Sequence, residues 1–134
     1  MNLQEFYENH CIPIMGMSQD AAESIEEEQY TGVINTILVD CSDINNTIRA
    51  KKGEKALENK WYTAEDELPY DYGLLANCMC YGVASRLYVD EASSEANIVS
   101  FLEANYEAGK AKFINADYED VTNIWQGLEA KING

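Results

Sequence analysis

Apolar residues recur along this chain at three- and four-residue spacings, and the breaks between recurrences divide it into helical segments. A short amphipathic piece, Leu3 to Cys11, is punctuated by Pro13 and Gly16. Ser18 then stands where a helix N-cap stands, with acids in the turns that follow. Ile25, Val33, Ile37, Cys41, Ile44 and Ile48 fall on one helical face, and Tyr30, Ile34 and Leu38 widen it. The spacing predicts one long helix of about 30 residues, apolar on two sides and therefore central. The β-branched run from Thr31 to Val39 also suits a buried strand, but the helical period continues on both sides of it and favours a helix. Arg49, Lys51 and Lys52 followed by Gly53 form the expected stop: cations in the last turn and a glycine beyond it.

Residues 53–70 lack a sustained period and read as a long connection with its own anchors, among them Trp61 and Leu68-Pro69-Tyr70. Pro69 disfavours helix at Leu68, and Asp71 is placed to begin the next element. Leu75, Met79, Val83 and Leu87 repeat every four residues, with Gly82, Ala84 and Ser85 as small neighbours that permit close approach of another helix. Asp90 to Ser94 reads as a tight turn, which makes the next helix an antiparallel neighbour. Ile98, Leu102, Tyr106, Gly109 and Phe113 form that helix's inner stripe; Glu103, Glu107, Lys110 and Lys112 lie on or near its wet side. Tyr118, Val121, Ile124, Trp125, Leu128 and Ile132 make a final amphipathic segment. The predicted fold class is all-α: a small helical bundle built on a long central helix and an antiparallel helix pair, with a core over residues 1–116 and an amphipathic C-terminal arm over 117–134.

Composition changes this picture in two ways. A chain of 134 residues suits one domain, and at that size a fold buries roughly 68–70% of the surface its unfolded chain exposes, so a core forms without help from metal or disulfide. The formal charge of −15 excludes a conventional duplex-gripping protein, because such affinity comes from cations that neutralise phosphates. The charge is also unevenly placed. Residues 1–48 carry nine acids and no Lys or Arg; residues 49–60 carry Arg49, Lys51, Lys52, Lys55 and Lys60 against Glu54 and Glu58; the remainder is acidic again. The basic island reads either as a solvated turn after a helix or as a seat for a neighbour's carboxylates.

Candidate chemistry is sparse. The single histidine, His10, directly precedes Cys11, and adjacent helical residues point about 100° apart, so the two make no dyad. Cys78 and Cys80 with one remote histidine fall short of a zinc set, no C-x-x-C spacing exists, and no phosphate-cradling glycine loop is present. The expectation is a protein that is not an enzyme, holds no cofactor or metal, and keeps its four thiols buried and reduced. Residues 1–15 lack a cationic start and an apolar run, which points to a cytoplasmic site of synthesis. The apolar stretch from Tyr72 to Val89 is interrupted by Asn77, Ser85 and Arg86 and reads as a core helix, not a membrane span. Nine Tyr and two Trp exceed what so small a core easily absorbs, and interfaces favour such residues; Trp125 is a candidate intermolecular anchor.

Three segments, taken in order, resemble the small head–tail connector (adaptor, or head completion) proteins of tailed bacteriophages. Ile34-Asn35 through Cys41 to Asn45-Asn46-Thr47-Ile48-Arg49 and Lys52-Gly53 is similar to that family's helix ending in an Asn-rich turn, an Arg and a Lys-Gly stop. Glu67-Leu68-Pro69-Tyr70 leading into Leu74-Leu75 and Tyr81-Gly82-Val83-Ala84-Ser85 is similar to its acid-Leu/Ile-Pro-Tyr approach to a small-residue helix. Ala96-Asn97 with Tyr106-Glu107-Ala108, followed by Asp120-Val121, is similar to the returning helix.

The resemblance implies a structural virion protein at the head–tail junction, made in the host cytoplasm. It implies a homo-oligomer, commonly a twelve-membered ring, bound to the portal protein on one side and a neck or tail protein on the other. Genomic DNA would pass through without specific binding, and no membrane is involved. The arm over 117–132 would reach the portal. Expected contact residues are Leu68, Pro69, Tyr70, Arg86, Tyr118, Trp125 and Leu128; Arg86, the sole base in an uncharged helical stretch, suits an acidic neighbour or, one turn on, Asp90. A second reading of the −15 charge is an acidic DNA mimic that inhibits a DNA-binding enzyme.

Overall fold

The computed structural model describes residues 1–91 and 96–115. Every extended element among them is helical, so the class is all-α; the only β-type pairing is a single antiparallel bridge between Asn2 and Glu67. Helix α1 spans residues 3–15. Asn2 caps it, accepting from the Glu5 amide at 2.8 Å while the Glu5 carboxylate takes the Asn2 amide at 2.8 Å. Its middle turn, Tyr7–Cys11, widens to a π-turn just before Pro13, and Gly16 ends it in the left-handed conformation at φ 67°.

The single long helix expected after Ser18 is three helices: α2 (Gln19–Glu23), α3 (Glu27–Asp40) and α4 (Ser42–Lys51). Ser18 does cap the first, accepting from the Ala21 amide at 3.2 Å. Two local causes break the rod. Ser24 turns its hydroxyl back onto the Ala21 carbonyl at 2.6 Å and Glu26 goes extended, which drops Ile25 into the core between two helices. At Cys41 the backbone leaves helical angles (φ −99°, ψ 6°) while the Ser42 hydroxyl claims the Val39 carbonyl at 2.8 Å. The Thr31–Val39 run is helix, not strand. Gly53, at φ 77°, closes α4 as expected, with the Gly53 and Glu54 amides bonded to the Ala50 and Arg49 carbonyls.

Helix α5 (residues 72–91) begins at Asp71, whose carboxylate accepts from the Leu74 amide at 3.0 Å, and passes through a second π-turn at Leu75–Met79. It continues through Glu91, so Asp90 and Glu91, expected in a turn, are helical, and residues 92–95 lie outside the described residues. Helix α6 (Ala96–Asn115) returns antiparallel, since Cys78 faces Gly109 and Gly82 faces Tyr106. Leu75, Met79, Val83 and Leu87 are all buried, as are Leu102 and Tyr106 on the opposing stripe. Helices α1 and α3 pack on the other sides of α5, which makes α5 the hub. Gly82 lets the three helices close: a Cβ there would stand 2.8 Å from the Tyr106 ring and 2.9 Å from the Ile37 side chain. The arm over 117–134 lies outside the described residues. No described helix is long and apolar enough to cross a membrane.

Candidate interaction surface

The connection over residues 53–71 carries almost no secondary structure, yet it is held to the helices by three asparagine side chains. The Asn46 carboxamide accepts from the Leu57 amide at 2.8 Å and donates to the Leu57 carbonyl at 3.3 Å. Asn35 does the same to Tyr62, at 2.8 and 2.9 Å. Asn45, 1% exposed, donates to the Pro69 carbonyl at 3.3 Å and accepts from the Asp71 amide at 2.9 Å. Each carboxamide presents a C=O and an N–H side by side, as a neighbouring strand would, so the backbone groups of Leu57, Tyr62, Pro69 and Asp71 that it meets are satisfied without a sheet. The connector thus runs back along α4 and α3 and reaches α1, where the Leu3 and Gln4 amides bond the Asp66 and Ala64 carbonyls. The residue expected to anchor it, Trp61, is 63% exposed; the buried anchor is the next residue, Tyr62.

At the far end of α4 the connector and the start of α5 enclose a cleft of about 350 Å³. Arg49, Lys52, Pro69, Tyr70 and Tyr72 line it, so the basic island and the Pro-Tyr segment share one surface. Much of the positive charge is answered locally. Arg49 donates through Nε to the Lys55 carbonyl at 2.7 Å and pairs with Glu54 at 3.3 Å; Lys52 stands 3.5 Å from Asp71; the Lys60 ammonium lies 4.8 Å from the Tyr62 ring centre. Of the expected contact residues, Pro69 is exposed, whereas Leu68 is buried and supports the corner from beneath. Tyr70 is half-buried and donates its hydroxyl to the Leu38 carbonyl at 2.9 Å; burial pushes that phenol up to about 12. Tyr72, 64% exposed on the same cleft, is a surface aromatic that periodicity alone did not single out.

Arg86 lies elsewhere, exposed on α5, where its charge helps hold the Asp40 carboxyl low. Asp40 receives the Tyr106 hydroxyl and, at 3.0 Å, the Lys110 ammonium, a cluster that ties α3 to α6. The Asp90 side chain, the alternative partner of Arg86, is outside what is described, as are Tyr118, Trp125 and Leu128.

The thiols are all buried. Burial raises Cys11 well above the ordinary thiol range and Cys80 to about 11. Proximity to Cys41 and burial raise Cys78, whose thiol donates to the Tyr106 carbonyl at 3.7 Å; Cys41, beside Cys78 and 3.4 Å from the Tyr106 hydroxyl oxygen, is held low. Cys41 is nonetheless 0% exposed, so no substrate reaches it. His10 packs edge-on against the Tyr72 ring, 5.5 Å between centres, while Cys11 turns into the core. Among the described residues no group of three or more His, Cys, Asp or Glu side chains is placed to hold a metal ion. The described surface carries an aromatic and basic cleft at the end of α4 and exposed carboxylates at the start of α3. No family model, no curated protein and no solved structure matches the chain.

Proposed function

We propose that this chain is a ring-forming connector of a tailed-phage particle, seated between the portal and the next neck or tail component and extending the DNA conduit. The reading rests on the ordered motifs, and one observation supports it most: the three motif segments are the joints of the fold. Asn45 of the first bonds Pro69 and Asp71 at the second, and Tyr106 of the third packs on Gly82 of the second and reaches Cys41 and Asp40 of the first. Residues with such joint roles define a scaffold, and a scaffold is what a ring subunit contributes.

The charge supports the same reading. Asp20, Glu23 and Glu26 are exposed along and after α2, and a wall of carboxylates lets DNA slide past where a basic wall would hold it. Imaging of purified virions is the test: a symmetric ring of this chain below the portal is expected, and virions that lack the chain would overturn the proposal. Removal of residues 117–134 is expected to abolish portal binding and leave the helical core folded.

A further inference from the structure

Helices α3 and α4, joined at the break at Cys41, carry unlike charge at their outer ends. The start of α3 carries exposed Glu27 and Glu28; the end of α4 carries exposed Lys51, Lys52 and Lys55. The two ends are the outer ends of consecutive helices of 14 and 10 residues, about 21 and 15 Å long. At the acidic end, Glu27, Glu28, Thr31, Trp61, Thr63 and Ala64 line a cavity of about 240 Å³. Two features of it are unusual for a finished surface. Trp61 is 63% exposed although an indole of that size is normally covered. Thr31 is 8% exposed, and its buried hydroxyl has no hydrogen-bond partner among the described residues.

We infer that this cavity receives a lysine side chain from the Lys51–Lys55 turn of a second copy of the chain, which joins copies head to tail. The inference rests on the ring-forming reading and gives it a contact. An ammonium has three donors and no acceptor. The two carboxylates are acceptors, and the indole face attracts a cation. Lys55 suits the role: it is exposed, and Arg49 occupies only its carbonyl. Unlike ends on one molecule make a heterologous contact, which generates a ring when the rotation closes.

Sedimentation velocity of the full chain tests this. The wild-type chain is expected to self-associate, more strongly at low salt. Glu27→Lys with Glu28→Lys, and separately Lys51→Glu with Lys55→Glu, should each weaken association by about tenfold or more, since like charges then face each other. Mixing the two charge-reversed proteins should restore assembly, because each mutant end then meets its opposite. Circular dichroism confirms that each variant is folded. Association that ignores either reversal, a mixture that does not reassemble, or a wild-type chain monomeric up to about 1 mM would overturn the inference. Virion rings that survive both reversals would remove this contact and leave the connector reading standing. Restored mixed assembly with no ring in virions would do the opposite.

Discussion

The Asn35 side chain closes a two-bond ring on the backbone of Tyr62, 27 residues away, accepting from its amide and donating to its carbonyl. The same amide group also donates to the Thr31 carbonyl at 2.9 Å, so all three of its bonds lie in the buried seam between α3 and the connector. A side chain here does the work of a strand.

Asn35→Leu, close in volume, strips both partners from Tyr62 and leaves a buried N–H and C=O unsatisfied. The expected loss is about 2–4 kcal/mol, from two orphaned groups at about 1–3 kcal/mol each with partial relaxation. Urea unfolding followed by circular dichroism measures it, and a loss under about 0.5 kcal/mol would show that the connector is not held this way.

Two glycines should respond with opposite sign to the same substitution. Gly82→Ala drives a methyl into the Tyr106 ring and Ile37, and the cost of overpacking, about 1–3 kcal/mol, exceeds the roughly 1 kcal/mol that alanine gains in a helix. Gly32→Ala, inside α3 with nothing within 4 Å of the new methyl, has only the gain, about 0.5–1 kcal/mol. Thermal melts of the pair decide the matter; equal shifts would mean that α3, α5 and α6 do not meet at Gly82.

Asp40 links stability to pH. The Tyr106 hydroxyl and then the Lys110 ammonium hold its carboxyl below the usual range. A carboxyl whose native value is depressed stabilises the fold above its unfolded pKa of about 4, and that contribution is lost as the pH falls through the lower native value. Asp40→Asn should therefore cost about 1 kcal/mol at pH 7, a figure reduced because the carboxylate is 41% exposed. The gap between wild type and variant should close progressively as the pH falls below about 4. A gap independent of pH would place the effect in packing and not in the charge.

The four thiols, at 0–1% exposure, should resist a maleimide in the native chain and react only as fast as the protein opens. Labelling followed by mass spectrometry across a urea series checks this; rapid native labelling of Cys41 would mean that the α3–α6 seam opens locally.

The helices, their inner faces and several of their ends were legible in the sequence because each depends on neighbours in the chain. A 3.6-residue period, a serine or aspartate before it and a glycine after it are local physics. That is why Ser18, Asp71 and Gly53 act as expected, and why Leu75, Met79, Val83 and Leu87 all reach the core. The small residue at Gly82 also announced a close helix contact, though not which helices would make it.

Only the tertiary structure decided the rest. The breaks at Ile25 and Cys41 arise because a side chain gains more by entering the core, or a serine by taking a carbonyl, than the rod gains by continuing; hydrophobic period is blind to that competition. Asn35, Asn45 and Asn46 stand out in the sequence only through the resemblance; their role is set when the connector folds back over them and offers backbone groups that need partners. Tyr62 and not Trp61 is the buried anchor for the same reason: which adjacent aromatic turns inward is set by the backbone bond to Asn35, a contact across 27 residues. Pairing between distant residues depends on where the whole chain goes, and no local pattern carries that information.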